Sequence, residues 1–178
     1  MKQYKYLIVG GGMAADAAVK GIREVDEKGG IGIVSADRDP PYARPPLSKD
    51  LWKEDKSVDD ILYGTDAKGA ELVLARTIAS IDPGKQTATD DEGEIYRYER
   101  LLLATGGAPK RLPLGGEHVI YYRTCADYRR LRAMASDRRR FAVFGGGFIG
   151  SEIAAALAVN GQEVTMVFPE AGIGGRLF

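Results

Sequence analysis

The sequence contains one cysteine, Cys125, and one histidine, His118, in 178 residues. A disulfide framework and a CxxC redox pair are therefore excluded, as is a zinc site made from the usual clustered ligands. Lys and Arg together number 25, and so do Asp and Glu, which makes the formal net charge zero. A neutral chain has no overall field that favours nucleic acid or an anionic membrane.

Long apolar runs are also missing. The apolar stretches have the length of strands, so no segment is predicted to span a bilayer. No basic segment followed by an apolar one precedes the first predicted strand, which begins at Tyr4. We therefore expect a cytoplasmic protein, or an organellar one if a leader has been removed.

The sequence does contain two similar segments, YLIVGGGMAAD at residues 6–16 and FAVFGGGFIGSE at residues 141–152. Each consists of a near-continuous apolar run, a glycine-rich turn and a helix-forming stretch. A second apolar run follows each predicted helix, IGIVSA at 31–36 and EVTMV at 163–167. The pattern predicts two Rossmann-like βαβ units, each with a nucleotide site.

The spacing GxGxxG defines each turn. Its three positions are occupied by Gly10, Gly12 and Ala15 in the first turn and by Gly145, Gly147 and Gly150 in the second. The first residue permits a tight turn, the second lets the backbone approach a pyrophosphate, and the third must be small so that helix and strand can pack. The helix that follows offers free N–H groups and a partial positive charge to phosphates.

Three segments between the two turns have a different character. Residues 38–52, RDPPYARPPLSKDLW, contain four prolines, and we expect a stiff, extended connection rather than a helix. From Glu71 to Leu103, short strands alternate with the turn sequences PGK and DEGE, which predicts an antiparallel β-meander that returns to the main sheet. Residues 126–138 predict a polar, arginine-rich helix.

These segments resemble, in order, the motifs of the ferredoxin-reductase-like flavoproteins within the pyridine nucleotide–disulfide oxidoreductase superfamily, especially those of the apoptosis-inducing-factor type. PPYARPPLSKDLW resembles the FAD loop, LLLATGGAPKRLP the family's ATG segment, YYRTCADYRRLR the linker, and GGGFIGSEIAAAL the first turn of the nicotinamide domain. The resemblance covers essentially the whole chain.

The fold class implied by the resemblance is α/β. It comprises a Rossmann-like FAD-binding domain with an inserted antiparallel β-meander over 1–118, a linker and helix over 119–140, and the start of a second Rossmann-like domain, for NAD(P)H, over 141–178. Relatives of full length have roughly 400 residues, more than one domain holds. The chain is therefore expected to be an incomplete fragment, inactive by itself.

The resemblance also implies which residues bind the cofactors. For FAD they are Gly10, Gly11, Gly12, Met13, Ala14, Ala15, Asp37, Arg44, Lys49, Ile78, Ala104, Thr105, Gly106 and Lys110. For NAD they are Gly145, Gly146, Gly147, Phe148, Ile149, Gly150, Glu170 and Arg176. The planar guanidinium of Arg44 suits the FAD phosphates. The family's ribose-binding glutamate falls on Ala36, which shifts that role to Asp37 or to water.

Two residues are implied to act at the flavin. Lys49 would lie near flavin N5, and Glu152 stands where the family has a glutamate that pairs with this lysine, so we predict a Lys49–Glu152 ion pair. The alternative for Glu152 is an ordinary acid in the first turn of a helix, favoured by the helix dipole. Glu170 after the last strand favours NAD, whereas Arg176 keeps NADP as the less favoured cofactor.

The implied activity is FAD-dependent NAD(P)H oxidoreduction, in which NADH delivers hydride to the flavin and electrons then pass to an iron–sulfur protein, a quinone or oxygen. Disulfide and peroxide reductases of the superfamily carry cysteine in the region that reads PPLSKDL here, so such an activity is disfavoured. Cys125 lies outside that region and is expected to be inert packing. The electron acceptor, a protein or a small molecule, is not identified by the sequence.

A redox-sensing interaction protein of the apoptosis-inducing-factor type is the alternative from another class. The arginine-rich stretch from Arg129 to Arg140 offers a basic surface, but Asp127 and Asp137 are interspersed, as on an ordinary solvated helix face. Nucleic acid is therefore a disfavoured partner, and a homodimer is left open.

Overall fold

Residues 1–53, 55–113, 116–137 and 140–175 are described by the computed structural model. The chain divides into two compact units. Unit 1 comprises Met1–Ala43 and Ile61–Ala108, and unit 2 comprises Arg44–Asp60 and Pro109–Phe178. The division is one of packing; the assignment of FAD and NAD(P)H domains to particular boundaries stays a prediction.

Unit 1 is built on a six-stranded sheet with the order β3-β2-β1-β6-β5-β4. Its strands are β1 (Lys2–Val9), β2 (Ile31–Val34), β3 (Ala70–Val73), β4 (Ile78–Asp82), β5 (Thr87–Asp90) and β6 (Ile95–Leu103). β1 pairs in parallel with both β2 and β6, and helix α1 (Met13–Val25) connects β1 to β2. The first apolar run is therefore a buried central strand, as its composition predicts.

Both faces of this sheet are covered by apolar side chains. One face packs against α1 through Ile8, Ala15, Val19, Ile31, Ile33 and Ala70. The other face buries Tyr4, Leu7, Val34, Ala88, Tyr96 and Tyr98. Burial on two sides accounts for a strand sequence without the alternation of polar and apolar residues that a half-exposed strand would have.

The predicted antiparallel meander consists of β4, β5 and β6. At its DEGE turn, the carboxylate of Asp90 accepts hydrogen bonds from the backbone N–H groups of Glu92 and Glu94 and from the Tyr96 hydroxyl. The prediction was wrong for the first segment, because β3 pairs with β2 in parallel. β3 lies at the opposite edge of the sheet from β4, so residues 74–77 form a crossover and not a hairpin.

The proline-rich segment was also predicted incorrectly. It forms two short 3-10 helices, Pro45–Ser48 and Asp50–Trp52, instead of an extended connection. Pro45 and Pro46 occupy the first two positions of the first of these helices, where their missing N–H groups would have no partner within the helix. The backbone N–H of Leu47 donates to the Arg44 carbonyl and that of Lys49 to the Pro46 carbonyl, which closes the first turn.

In unit 2, helix α2 (Cys125–Asp137) is followed by β7 (Arg140–Phe144), α3 (Phe148–Val159) and β8 (Glu163–Val167). β7 and β8 are parallel, and α3 buries Ile153, Ala154 and Leu157. This is the second βαβ unit that the sequence predicts. Cys125 is fully buried at the start of α2. In the described part of the chain, no helix combines the length and apolarity needed to cross a bilayer.

A buried carboxylate ties α1 to the segment before β3. Asp16 is 2% exposed and lies 2.8 Å from Nζ of Lys20, 2.6 Å from Nζ of Lys68 and 2.7 Å from the Thr65 hydroxyl. Burial by itself raises the pKa of Asp16, but the hydrogen bonds from Lys20, Lys68 and Thr65 hold the pKa below its usual range. The cluster therefore stabilises unit 1 only while Asp16 is ionised.

We expect Asp16→Ala to lower the local unfolding free energy of unit 1 by about 2–4 kcal/mol, because Thr65 and Lys68 lose their shared acceptor. Native-state hydrogen exchange of the β1 and α1 amides measures this free energy. Since the pKa of Asp16 is depressed in the folded chain, its stabilisation is fully present above the ordinary aspartate pKa of 3.8 and is lost as the pH falls from there through the lowered pKa.

The matched control is Glu24→Ala, which removes an exposed carboxylate from the same helix and should change the free energy by less than about 0.5 kcal/mol. Equal effects of the two substitutions at neutral pH, or a difference between them that does not shrink as the pH falls through the lowered pKa of Asp16, would contradict this account of Asp16.

Candidate functional site

The first glycine turn lies where three parallel strands end together. Val9, the last residue of β1, is in register with Val34 at the end of β2 and with Leu103 at the end of β6. The chain leaves β1 at Gly10, whose N–H donates to the Val34 carbonyl at 2.8 Å. The carboxyl edge of such a sheet is the usual position of a dinucleotide.

Gly10 cannot be replaced without disturbing this edge. Its φ is +111°, in the region that side chains rarely adopt, and a Cβ built on it would lie 2.3 Å from the Ala104 carbonyl oxygen. A Cβ on Gly11 would lie 2.4 Å from the Ser35 hydroxyl. The turn is therefore packed closely against residues that follow β6 and β2.

The same turn opens the start of α1. Gly12 is the N-cap residue, and no side chain caps the helix. The third motif position, Ala15, is fully buried against the sheet, as its small size requires. Met13 and Ala14 are exposed at the helix N-terminus. The result is a first helical turn without a side-chain cap, a place where backbone N–H groups are available to an anion.

Three of the other predicted residues of unit 1 lie at the same edge. Ala104, Thr105 and Gly106 directly follow β6, and the Ala104 N–H donates to the Val9 carbonyl at 2.8 Å. Ile78 begins β4 and is partly buried against the core of unit 1.

Asp37, three residues beyond the end of β2, is half-buried. One carboxylate oxygen of Asp37 accepts the Tyr42 hydroxyl at 3.0 Å, and the other lies 3.3 Å from the Asp39 N–H. Ala36 beside it is exposed and offers no side-chain acceptor. Asp37 is thus held in place by Tyr42, a residue that the sequence did not single out.

The second glycine turn repeats the geometry of the first. Gly145 has φ +115°, and its N–H donates to the Val167 carbonyl at 2.9 Å. A Cβ on Gly150 would lie 2.1 Å from the Gly145 carbonyl oxygen, so the third motif position must be glycine. Gly147 is the N-cap of α3, again without a side-chain cap. Phe148 and Ile149 are exposed in the first turn of that helix.

Residues after β8 return to this second turn. A Cβ on Gly146 would lie 2.9 Å from the Phe168 ring, and the Gly174 N–H donates to the Gly146 carbonyl at 2.8 Å. Glu170 lies within the returning segment and is half-buried. Arg176, the predicted NADP-favouring residue, lies outside the described residues.

The predicted ion pair between Lys49 and Glu152 is confirmed as a contact. Lys49 Nζ lies 2.9 Å from Glu152 Oε1. The Ser48 hydroxyl donates to the other oxygen, Oε2, at 2.6 Å. Burial by itself raises the pKa of Glu152, but the hydrogen bonds from Ser48 and Lys49 hold the pKa below its usual range. Glu152 is therefore an anchored carboxylate. The alternative of an ordinary first-turn acid was wrong, because Glu152 is the fifth residue of α3 and lies beyond its first turn.

Arg44 and Lys110 also belong to unit 2. One guanidinium nitrogen of Arg44 donates to the Arg123 carbonyl at 3.0 Å. Lys110 is exposed. Their predicted contacts with FAD stay predictions.

Aromatic residues hold the proline-rich segment in place, and sequence reasoning missed them. The Leu47 carbonyl accepts hydrogen bonds from the Trp52 indole N–H, at 2.9 Å, and from the Tyr122 hydroxyl. The Tyr128 hydroxyl of α2 donates to the Leu51 carbonyl at 2.7 Å. Trp52, Tyr122 and Tyr128 lie inside motifs that the sequence identifies, but nothing in the sequence indicates that these motifs touch.

A cavity of about 620 Å³ lies within unit 2, between Lys110, Leu112, residues 118–122, α2, β7 and α3. The second glycine turn contributes Gly145, Gly147 and Gly150 to its wall. Most of the remaining wall is apolar and comes from several elements, among them all of β7 from Arg140 to Phe144. The cavity thus adjoins the turn but extends well beyond the place where a phosphate would bind.

Comparison with known proteins assigns the chain to one family. The family model described as pyridine nucleotide-disulphide oxidoreductase matches residues 4–174. Apoptosis-inducing factor 1, mitochondrial, of Dictyostelium discoideum is 32% identical over 204 aligned residues, which cover 100% of this chain and 38% of that protein. The 5,5'-dehydrodivanillate O-demethylase ferredoxin reductase subunit of a Sphingobium strain is 35% identical, over 94% of this chain and 42% of its own.

A solved structure agrees with these relatives. The covalent complex of putidaredoxin reductase with putidaredoxin contains a chain that is 27% identical, with a TM-score of 0.84 over 100% of this chain and 45% of that one. The α/β fold predicted from the sequence is therefore confirmed. The chain spans less than half the length of the relatives and the solved structure it matches.

The geometry of the first turn predicts opposite effects for two glycine substitutions. Gly10→Ala should destabilise unit 1 by about 2–4 kcal/mol, because it combines a positive φ with a contact against the Ala104 carbonyl. Gly21→Ala, at an exposed position inside α1 with nothing within 4 Å of the new methyl group, should stabilise the unit by about 0.5–1 kcal/mol.

Hydrogen exchange of the β1 and α1 amides measures both effects, and each variant serves as the control for the other. Changes of the same sign would show that the close approach at Gly10 is not what requires a glycine there.

Proposed function

Because the chain belongs to the pyridine nucleotide-disulphide oxidoreductase family, we propose that it carries the FAD site and the start of the NAD(P)H site of a flavin-dependent oxidoreductase. In this proposal NADH reduces the flavin, and the electrons then pass to an acceptor without a redox-active disulfide.

The repeated glycine turn is the observation that carries the proposal. In both turns a carbonyl oxygen occupies the space that a Cβ would need, and both helices begin without a side-chain cap. Each arrangement leaves backbone N–H groups and the positive end of a helix dipole facing outward, which suits a diphosphate. One turn would serve FAD and the other NAD(P)H.

The residues of this chain have separate tasks in the proposed reaction. Gly10–Ala15 would bind the FAD pyrophosphate and Asp37 the ribose, while Arg44 would neutralise phosphate charge. When bound, FAD supplies the electron carrier that accepts a hydride from NADH and releases electrons singly. Lys49, which pairs with Glu152 in this structure, would place a positive charge beside the isoalloxazine ring, where negative charge develops on reduction.

NADH is the preferred electron donor in this proposal. Glu170 follows β8 at the position where an acid can accept hydrogen bonds from the ribose hydroxyls and repel a 2′-phosphate. Its segment is held to the second glycine turn through the hydrogen bond between Gly174 and Gly146.

An iron–sulfur protein is the acceptor that the relatives favour, since one is a ferredoxin reductase subunit and another was solved in complex with putidaredoxin. The segment Pro45–Trp52 contains no cysteine, and Cys125 is fully buried, so neither supplies an accessible thiol for a disulfide or peroxide reductase. Quinone or oxygen would be the alternative direct acceptors from the flavin.

The second candidate is a redox-sensing interaction protein, favoured by the similarity to apoptosis-inducing factor. It would differ from the enzyme by binding a partner in one flavin oxidation state only, with slow electron transfer to any acceptor. Steady-state reduction of an iron–sulfur protein by NADH distinguishes the two.

The test is a visible absorption spectrum of the whole protein before and after addition of NADH without oxygen. A yellow protein that bleaches with NADH is expected. A colourless protein that takes up no FAD would end the proposal.

The same preparation tests Arg44. Arg44→Ala should weaken FAD binding about 10- to 100-fold, through the loss of charged hydrogen bonds to phosphate. Arg130→Ala, at an exposed arginine of α2, is the control and should leave FAD binding unchanged. Equal FAD affinity in the wild type and Arg44→Ala would remove Arg44 from the site.

Glu170 sets the choice of nicotinamide cofactor in this proposal. Glu170→Ala should reduce the ratio of kcat/KM for NADH to that for NADPH by roughly 10-fold, because a charged acceptor for the ribose hydroxyls is lost. Glu163→Ala, at the exposed start of β8, the strand that precedes Glu170, should leave the ratio unchanged. An unaltered ratio in Glu170→Ala would assign the preference to other residues.

A further inference from the structure

Glu152 has a different donor on each carboxylate oxygen. Lys49 Nζ lies 2.9 Å from Oε1, and Ser48 Oγ lies 2.6 Å from Oε2. The two donors are neighbours in sequence, yet they differ in burial, in length and in the number of protons they can donate.

Ser48 is the more firmly held of the two. It is 8% exposed and ends the 3-10 helix Pro45–Ser48. The carbonyl of the preceding residue, Leu47, accepts hydrogen bonds from Trp52 and from Tyr122, which fix the backbone immediately before the serine. Its side chain has a single heavy-atom torsion, so little freedom remains.

Among the described residues, one acceptor lies close to the Ser48 hydroxyl. The Pro45 carbonyl lies 3.5 Å from Oγ, at the limit of a hydrogen bond, whereas Glu152 Oε2 lies at 2.6 Å. The shorter distance is typical of a hydroxyl that donates to a carboxylate. Because a serine hydroxyl does not titrate at ordinary pH, this donor is present at every pH at which the chain is folded.

Lys49 is tethered more loosely. Its side chain is 51% exposed, and it reaches Glu152 through four methylene groups, each with rotational freedom. An ion pair with so much exposure is weak, because water competes for both groups. Lys49 can therefore leave Glu152 at little cost, provided that something else holds the carboxylate.

We propose that Ser48 is the fixed anchor of Glu152 and that Lys49 is its exchangeable partner, so that Lys49 can turn toward an electron-rich ring while Glu152 remains ordered. Ser48 is thus a positioning residue. The reason for Lys49 to move rests on the proposed function, whereas the anchoring of Glu152 does not.

The surroundings of Glu152 simplify the test. The described residues that bear on its carboxylate are Ser48 and Lys49 from the proline-rich segment, and Lys49 is the charged one. On α3 itself, the neighbouring Ser151 hydroxyl donates to the carbonyls of Gly147 and Phe148 in its own helix. Ser151→Ala therefore removes a hydroxyl beside Glu152 without removing a partner from it.

The experiment is a carbon-detected NMR titration of the Glu152 side-chain carboxyl in the 178-residue chain, without FAD or NADH, together with its χ1 and χ2 rotamer populations. In Ser48→Ala, the pKa of Glu152 should rise toward the ordinary range for glutamate, and the rotamers should average. In Lys49→Met, the pKa should also rise, but the rotamers should stay restricted. Ser48→Thr, which keeps a hydroxyl, should restore the wild-type behaviour, and Ser151→Ala should match the wild type.

The indole N–H resonance of Trp52 reports whether the segment keeps its structure, since this group donates to the Leu47 carbonyl. With that resonance unchanged, a Ser48→Ala titration equal to the wild type overturns the proposal. Averaged Glu152 rotamers in Lys49→Met also overturn the proposal. If Ser48→Ala changes the Trp52 resonance, the Lys49→Met rotamers alone test the proposal. Because no cofactor is present, failure to bind FAD in other experiments leaves the result intact.

Discussion

In both glycine turns, a backbone carbonyl oxygen occupies the space that the Cβ of a larger residue would need. The structure depends on this close approach between the carbonyl and the glycine. Ala104 contributes the oxygen that excludes a Cβ at Gly10, and Gly145 contributes the one that excludes a Cβ at Gly150. The backbone can then turn sharply from strand to helix and leave the helix N-terminus without a side-chain cap. A turn of this kind leaves backbone N–H groups available to an anion, without the need for a charged side chain.

The proline-rich segment holds polar side chains in place although it contains no long helix or strand. Its two 3-10 helices are secured through carbonyl oxygens, with Trp52 and Tyr122 donating to Leu47 and Tyr128 donating to Leu51. Because aromatic side chains with polar ends do this work, the anchors combine apolar burial with directional bonds. Ser48 and Lys49 can then meet Glu152 of α3 from a defined direction.

Sequence reasoning succeeded where a pattern has a single physical solution. A continuous apolar run before a glycine turn and a helix can bury both its faces only as an inner parallel strand, and β1 and α1 have that arrangement. Sequence reasoning failed where one sequence pattern is compatible with two different structures. The strand Ala70–Val73 has the length and composition of a meander strand, yet it pairs in parallel with β2. Prolines at 45 and 46 exclude the interior of a helix but not its first turn, where a 3-10 helix forms.

The sequence by itself determined the fold class, the two glycine turns between strand and helix, and the family, because each depends on local spacing that the backbone must obey. It also indicated the Lys49–Glu152 pair through resemblance. Only the tertiary structure decided that Ser48 shares Glu152, that Tyr42 holds Asp37, and that Asp16 is buried among Thr65 and two lysines. These contacts join residues brought together by folding, and side-chain partners of that kind leave no periodic trace in a single sequence.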